Sequence, residues 1–187
     1  MLAIGLVAVA AFIDSYSTNL TRPQQLYATQ AVIAFSATFF IGPSLLFGMN
    51  RALQAGSGHI ISFFALFGII NGIGTLAGSA LIGSYQIIRE KANSNALVQT
   101  IDPTNPIVTQ RIAAGGSTVA RVITDPTLRT AEGTSLLAQT ATREANVLAY
   151  DDTFRLIALL AALTTVYLAF ILWRRNRRAR RAALLAA

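Results

Sequence analysis

The side chains able to do chemistry in this sequence are few, and the most suggestive of them stand in apolar surroundings. Asn71 lies near the middle of residues 60–88, a stretch without a single charge. An amide left unpaired in hydrocarbon costs roughly 2–7 kcal/mol. Asn71 must therefore face protein or a wet cavity. Two roles fit: a hydrogen bond to another helix, or lining a substrate path together with the adjacent Gly72 and Gly74. Gln30, and Ser36 after it, sit in the preceding uncharged stretch and have the same two readings. Gly42 and Pro43 fall in the middle of that stretch, where proline removes a backbone hydrogen bond and bends a helix. They are the hinge candidates.

Catalytic sets are missing. The chain has no cysteine and one histidine, which removes disulfides, thiol nucleophiles and Cys- or His-based metal clusters together. No nucleophile elbow, phosphate loop or zinc-protease motif occurs, and Gly72-Ile73-Gly74 lies inside an apolar run rather than after a strand. The reading is a protein that is not an enzyme and has neither metal nor cofactor. A charged carrier at mid-depth in a membrane would mark an ion or proton path. Asp14, Asp151, Asp152 and Arg155 all stand at the ends of apolar stretches instead. Asp151 and Arg155 have the spacing of a helical ion pair, so these four read as a solvated or salt-bridged face at the outer interface.

The elements that must position these residues follow from composition. Of 187 residues, 53% are hydrophobic and 12% charged, with a mean hydropathy of +0.53. Soluble domains carry about 25% charge, so the fitting solvent is a bilayer. Residues 28–50 and 60–88 are uncharged, and each exceeds the about 20 residues a helix needs to cross hydrocarbon. Residues 153–173 make a third span, with Arg155 able to snorkel at its start and Tyr167 and Trp173 toward its end. Residues 1–13 are apolar but too short to cross, and no cation precedes them as a signal peptide requires. They read as the end of a transmembrane helix. The expected fold is an all-α integral membrane protein with three full transmembrane helices, a partial N-terminal one and an extracytoplasmic helical region between the last two.

Orientation follows from the arginines. Arg174, Arg175, Arg177, Arg178, Arg180 and Arg181 directly follow the third span, and such a cluster belongs in the cytoplasm. Residues 174–187 are then a basic cytoplasmic tail and topology anchor. Residues 51–59 are cytoplasmic as well, whereas residues 14–26 and 89–152 lie outside. The net charge of +7 is mostly this tail rather than a basic face with aromatics between, so nucleic acid is not a partner. In the external region Asp102-Pro103, Asn105-Pro106 and Asp125-Pro126 each place a capping residue before a first-turn proline. Gly115-Gly116 and Gly133 punctuate it. The pattern predicts short helices at 106–114 and 117–123 and a long helix starting near 134.

On a wheel of 100° per residue, Gly68, Gly72, Thr75, Ser79 and Gly83 fall within about 80° of one another, with bulky residues opposite. Gly68 and Gly72, and likewise Gly74 and Gly78, have the small-xxx-small spacing that lets helices approach closely in lipid. This face reads as helix packing, or as a surface that slides during a transport cycle.

Residues 62–81, SFFALFGIINGIGTLAGSAL, resemble a late helix of the fourteen-helix drug:proton antiporter branch of the major facilitator superfamily, with its polar residue, paired glycines and Gly-Ser-Ala ending. Residues 142–154, TREANVLAYDDTF, are similar to the branch's signature before its final helix: a Gln/Glu-Ala pair, then Ala-Tyr, an acid and an aromatic. The long outer loop and the basic tail also fit. The resemblance implies the last three spans of a proton-coupled multidrug exporter in a bacterial inner membrane, with the stump of the span before them. Such a segment alone would not be transport-competent. The partners it implies are the bilayer, the remaining helices of the transporter and a periplasmic adaptor protein. The branch's cytoplasmic Gly-Asp-Arg-Gly-Arg motif and its acidic coupling positions have no counterpart here. The alternative is a small autonomous membrane protein whose external helices bind a partner and whose glycine-rich face drives self-association.

Overall fold

The computed structural model describes residues 1–56, 58–102 and 104–186, with side chains described as far as residue 178. Among the described residues every regular element is a helix: α1 (Leu2–Asp14), α2 (Pro23–Ala55), α3 (His59–Gln99), α4 (Pro106–Thr118) and α5 (Pro126–Ala186). Helices α2, α3 and α5 are long and apolar enough to cross a membrane, and α1 is a shorter apolar helix. The uncharged runs explain the three long ones. With no water in hydrocarbon to satisfy backbone groups, a helix is the structure that bonds them all within one segment.

The chain divides into two compact units. The first comprises Met1–Tyr16, Thr21–Leu81 and Thr153–Ala187. Here α1 packs against α2, and the contacts are made by small residues. Ala3, Ala10, Ala11, Ser36 and Ala158 are buried, while Leu2, Phe12, Phe35, Leu76, Leu163 and Val166 are exposed. That is the reverse of a water-soluble core and the arrangement expected where lipid is as apolar as leucine and small residues make the helix contacts. Gly48 of α2 lies directly against the ring of Phe63 in α3. α2 ends at Gly56, whose φ of 123° suits a residue without Cβ. α2 runs unbroken through Pro43.

The second unit comprises Ser17–Leu20 and Ile82–Asp152, and here the expected boundaries need correction. The first short helix extends to Thr118 instead of 114, and residues 119–122 form turns, so no separate helix occupies 117–123. The long helix starts at Pro126 rather than near 134. One cause accounts for both departures. Gly115, Gly116 and Gly133 are helix interior, where α4 and α5 cross. A Cβ on Gly116 would stand 2.7 Å from the Arg129 carbonyl oxygen, one on Gly115 would stand 3.2 Å from the Gly133 Cα, and one on Gly133 would overlap the Ile112 carbonyl oxygen. The glycines therefore permit close backbone approach instead of ending helices. The start signals do operate: Asn105 accepts from the Ile107 amide at 2.9 Å, and Asp125 accepts from the Thr127 amide at 2.8 Å. Asp102 accepts from Thr104 at 2.8 Å, in a turn before α4. Pro103, its expected first-turn proline, lies outside the described residues. α3 also continues past residue 88, to Gln99.

Candidate functional site

The most concentrated polar site in the first unit forms where α1 ends beside the second turn of α2. Asp14, the last residue of α1, is 1% exposed. Its Oδ2 accepts from Gln30 Nε2 at 2.7 Å, and its Oδ1 accepts from the Thr29 hydroxyl. Thr29 Oγ1 also stands 2.9 Å from the Leu26 carbonyl, so its single proton has two competing acceptors. Next to Asp14, the fully buried Ser15 donates to the Phe12 carbonyl at 2.7 Å. A carboxylate at a helix C-terminus meets the negative end of the helix dipole. Donors supplied by the neighbouring helix offset that, and a hydrogen bond to a charged group contributes about 1.5–3 kcal/mol.

Of the two expectations for Asp14, a solvated or a salt-bridged face, the first is corrected: the residue is buried and hydrogen-bonded. The structure brings Gln30 to Asp14, 16 positions away, which neither residue's own stretch announced. One pointer was available. An acid closing one apolar helix and a Thr-Gln pair near the start of the next meet when the two helices form an antiparallel hairpin.

In the second unit, Arg89 and Asp152 form a pair across 63 positions. Arg89 Nη2 and Nε stand 2.7 and 2.8 Å from the same oxygen, Asp152 Oδ2, and Asn93 Nδ2 reaches it at 3.4 Å. Asn19 Nδ2 donates to Glu144 Oε1 in the same unit. Asp151 is 7% exposed, so it too is not on a solvated face. Arg155, in the first unit, holds its guanidinium 5.9 Å from the centre of the Tyr16 ring.

At the turns flanking α4, two carboxyls are held below their ordinary range. For Asp102 the larger cause is the Thr104 backbone N–H, then the Thr104 hydroxyl. For Asp125 it is the Thr127 hydroxyl, then the Thr127 N–H. Hydrogen bonds donated to a carboxylate favour its charged form.

The remaining candidates stay apart. Asn71 is exposed on α3, and among the described residues its side-chain amide has no hydrogen-bond partner. A Cβ at Gly68, Gly72, Gly74, Gly78 or Gly83 would meet nothing within 4 Å, and the same holds at Gly42. Thr75 and Ser79 turn their hydroxyls back onto the carbonyls of Asn71 and Leu76, at 2.8 and 3.0 Å. The small-residue face of α3 is therefore open along its length. Arg174, Arg175, Arg177 and Arg178 are exposed on α5, with the Arg177 guanidinium 5.0 Å from the Trp173 ring centre. The side chains of Arg180 and Arg181 lie outside the described residues. No group of three or more metal-ligating side chains occurs among the described residues.

These helices and their inverted exposure define a helical, multi-pass membrane protein. Compared with known proteins, the chain matches no family model, and no curated protein or solved structure is significantly similar to it.

Proposed function

We propose that this chain forms the last three membrane spans of a proton-coupled exporter of amphipathic or drug-like compounds, of the fourteen-helix antiporter type that residues 62–81 and 142–154 resemble. In this reading it lies in a bacterial inner membrane, with residues 89–152 outside, the arginine tail in the cytoplasm and the remaining transporter helices as its main partners. The observation that carries the reading is α3. This helix buries none of its residues and presents Asn71, Gly68, Gly72 and Gly74 on exposed surface. An amide in hydrocarbon and a small-residue face both call for further helices. Three spans do not supply the two halves that alternating access requires. Asn71, Gly72 and Gly74 then line the transport path, and the Asp14–Thr29–Gln30 cluster fixes the hairpin beside it.

The same open face supports a second reading, in which copies of a small autonomous membrane protein associate through α3 while the external helices engage a partner such as a periplasmic adaptor. Two observations separate the readings. The first is the reading frame ahead of the Met1 codon: a frame continuing through about ten further apolar spans supports the exporter, whereas a separate promoter and ribosome-binding site overturn it. The second is the purified chain in detergent, where a folded monomer overturns self-association.

A further inference from the structure

Within the first unit, α1 and α5 leave between them a groove of about 450 Å³. Ala8, Val9 and Phe12 line it from α1, and Ala158 and Ala162 from α5, with Arg155 at the end nearest Tyr16. The alanines make the groove by leaving room where a larger side chain would fill it. Its lining is hydrocarbon apart from one exposed guanidinium.

We propose that this groove holds one acyl chain of an anionic phospholipid whose phosphate is met by Arg155. The volume falls within the range of small-molecule clefts, about 300–1,000 Å³. Residues 153–173 are the apolar part of α5, so the alanine-lined length of the groove lies in hydrocarbon. Arg155 lies at the edge of that stretch, where a long cation reaches lipid phosphates. A guanidinium carries five donors in a planar fork. It can therefore keep its place beside the Tyr16 ring and still present N–H donors to a phosphate. Charge complementarity selects the occupant: an anionic lipid fills the apolar slot with hydrocarbon and brings a phosphate to the guanidinium.

The test is native mass spectrometry of the full chain, purified with equal amounts of phosphatidylglycerol and phosphatidylcholine carrying identical acyl chains. The expected result is one retained lipid, with phosphatidylglycerol preferred about fivefold, the worth of one cation near an anionic surface. Arg155→Gln brings that preference near parity. Replacing both Arg177 and Arg178 by Gln leaves it in place, which separates the groove from the tail. Ala162→Phe, at an exposed alanine of the groove, abolishes retention of both lipids while circular dichroism shows unchanged helicity. Equal retention of the two lipids by the wild type would overturn the proposal. So would a preference that survives Arg155→Gln, retention that survives Ala162→Phe, or a lipid-free dimer.

Discussion

Replacing Gly133 by alanine separates close approach of helices from mere tolerance of glycine. In an open helix interior the change is favourable by about 0.8–1 kcal/mol. At Gly133 the added Cβ would overlap the Ile112 carbonyl oxygen and stand 2.9 Å from the Gly116 nitrogen and 3.1 Å from the Ile112 carbonyl carbon. Ordinary contacts between carbon atoms lie at about 3.5–4.0 Å. All three neighbours are backbone, so no side chain can swing aside. α4 and α5 must part by about 1 Å, which also opens the contacts of Gly115 and Gly116. Overpacking costs about 1–3 kcal/mol, and a rigid backbone obstacle places this case in the upper half of that range. Less the gain in helix propensity, the net loss is about 1–2 kcal/mol, a factor of 5–30 in the opening equilibrium. Amide hydrogen exchange across residues 110–118 reads this directly: protection falls by that factor in Gly133→Ala. Gly74→Ala, at an open position, leaves exchange unchanged or slightly slower. Equal or greater protection of α4 in Gly133→Ala would refute the crossing.

Two further outcomes are expected. Asp14→Ala removes the acceptor shared by Thr29 and Gln30. Thr29 keeps the Leu26 carbonyl as an acceptor, but Gln30 loses its bond to a charged group, so the loss is at least about 1.5–3 kcal/mol. Denaturant midpoints in detergent micelles measure it, and a Thr29→Val, Asp14→Ala double variant that is fully additive would show that the two side chains do not interact. The second outcome concerns pH. Asp125 has its folded value below the ordinary 3.8, so its contribution to the start of α5 is complete above that value and is lost as pH falls through the lower folded one. Exchange at the Thr127 amide accelerates in that acidic window in the wild type and is pH-insensitive in Asp125→Ala once intrinsic exchange is allowed for. Identical profiles would contradict the cap.

The long helices are legible because an uncharged run of sufficient length admits few other structures in lipid. Residues 28–50, 60–88 and 153–173 all lie within single helices. The Asn105-Pro106 and Asp125-Pro126 starts are legible because a capping side chain and a fixed φ act locally. Gly115, Gly116 and Gly133 mislead for a physical reason: glycine at a helix end and glycine at a helix crossing look alike in one sequence, and only the neighbour distinguishes them. Asp14 is missed in the same way. Its position at the end of an apolar helix suggests solvent, yet its donors arrive from a helix that begins nine residues later. The Arg89–Asp152 pair spans 63 positions, beyond any local pattern. Asn71 remains as the sequence presents it, a polar side chain exposed on an apolar helix.

In the proposed topology the three spans leave residues 89–152 outside and the arginine tail inside. The chain has no cysteine, so single substitutions report sidedness without background. Ser117→Cys in α4 and Asn176→Cys in the arginine-rich end of α5 should be exposed to a membrane-impermeant maleimide in intact cells and again after permeabilisation. The account predicts labelling of Cys-substituted position 117 in intact cells and of position 176 only after permeabilisation. The reverse pattern, or labelling of both positions in intact cells, would contradict it.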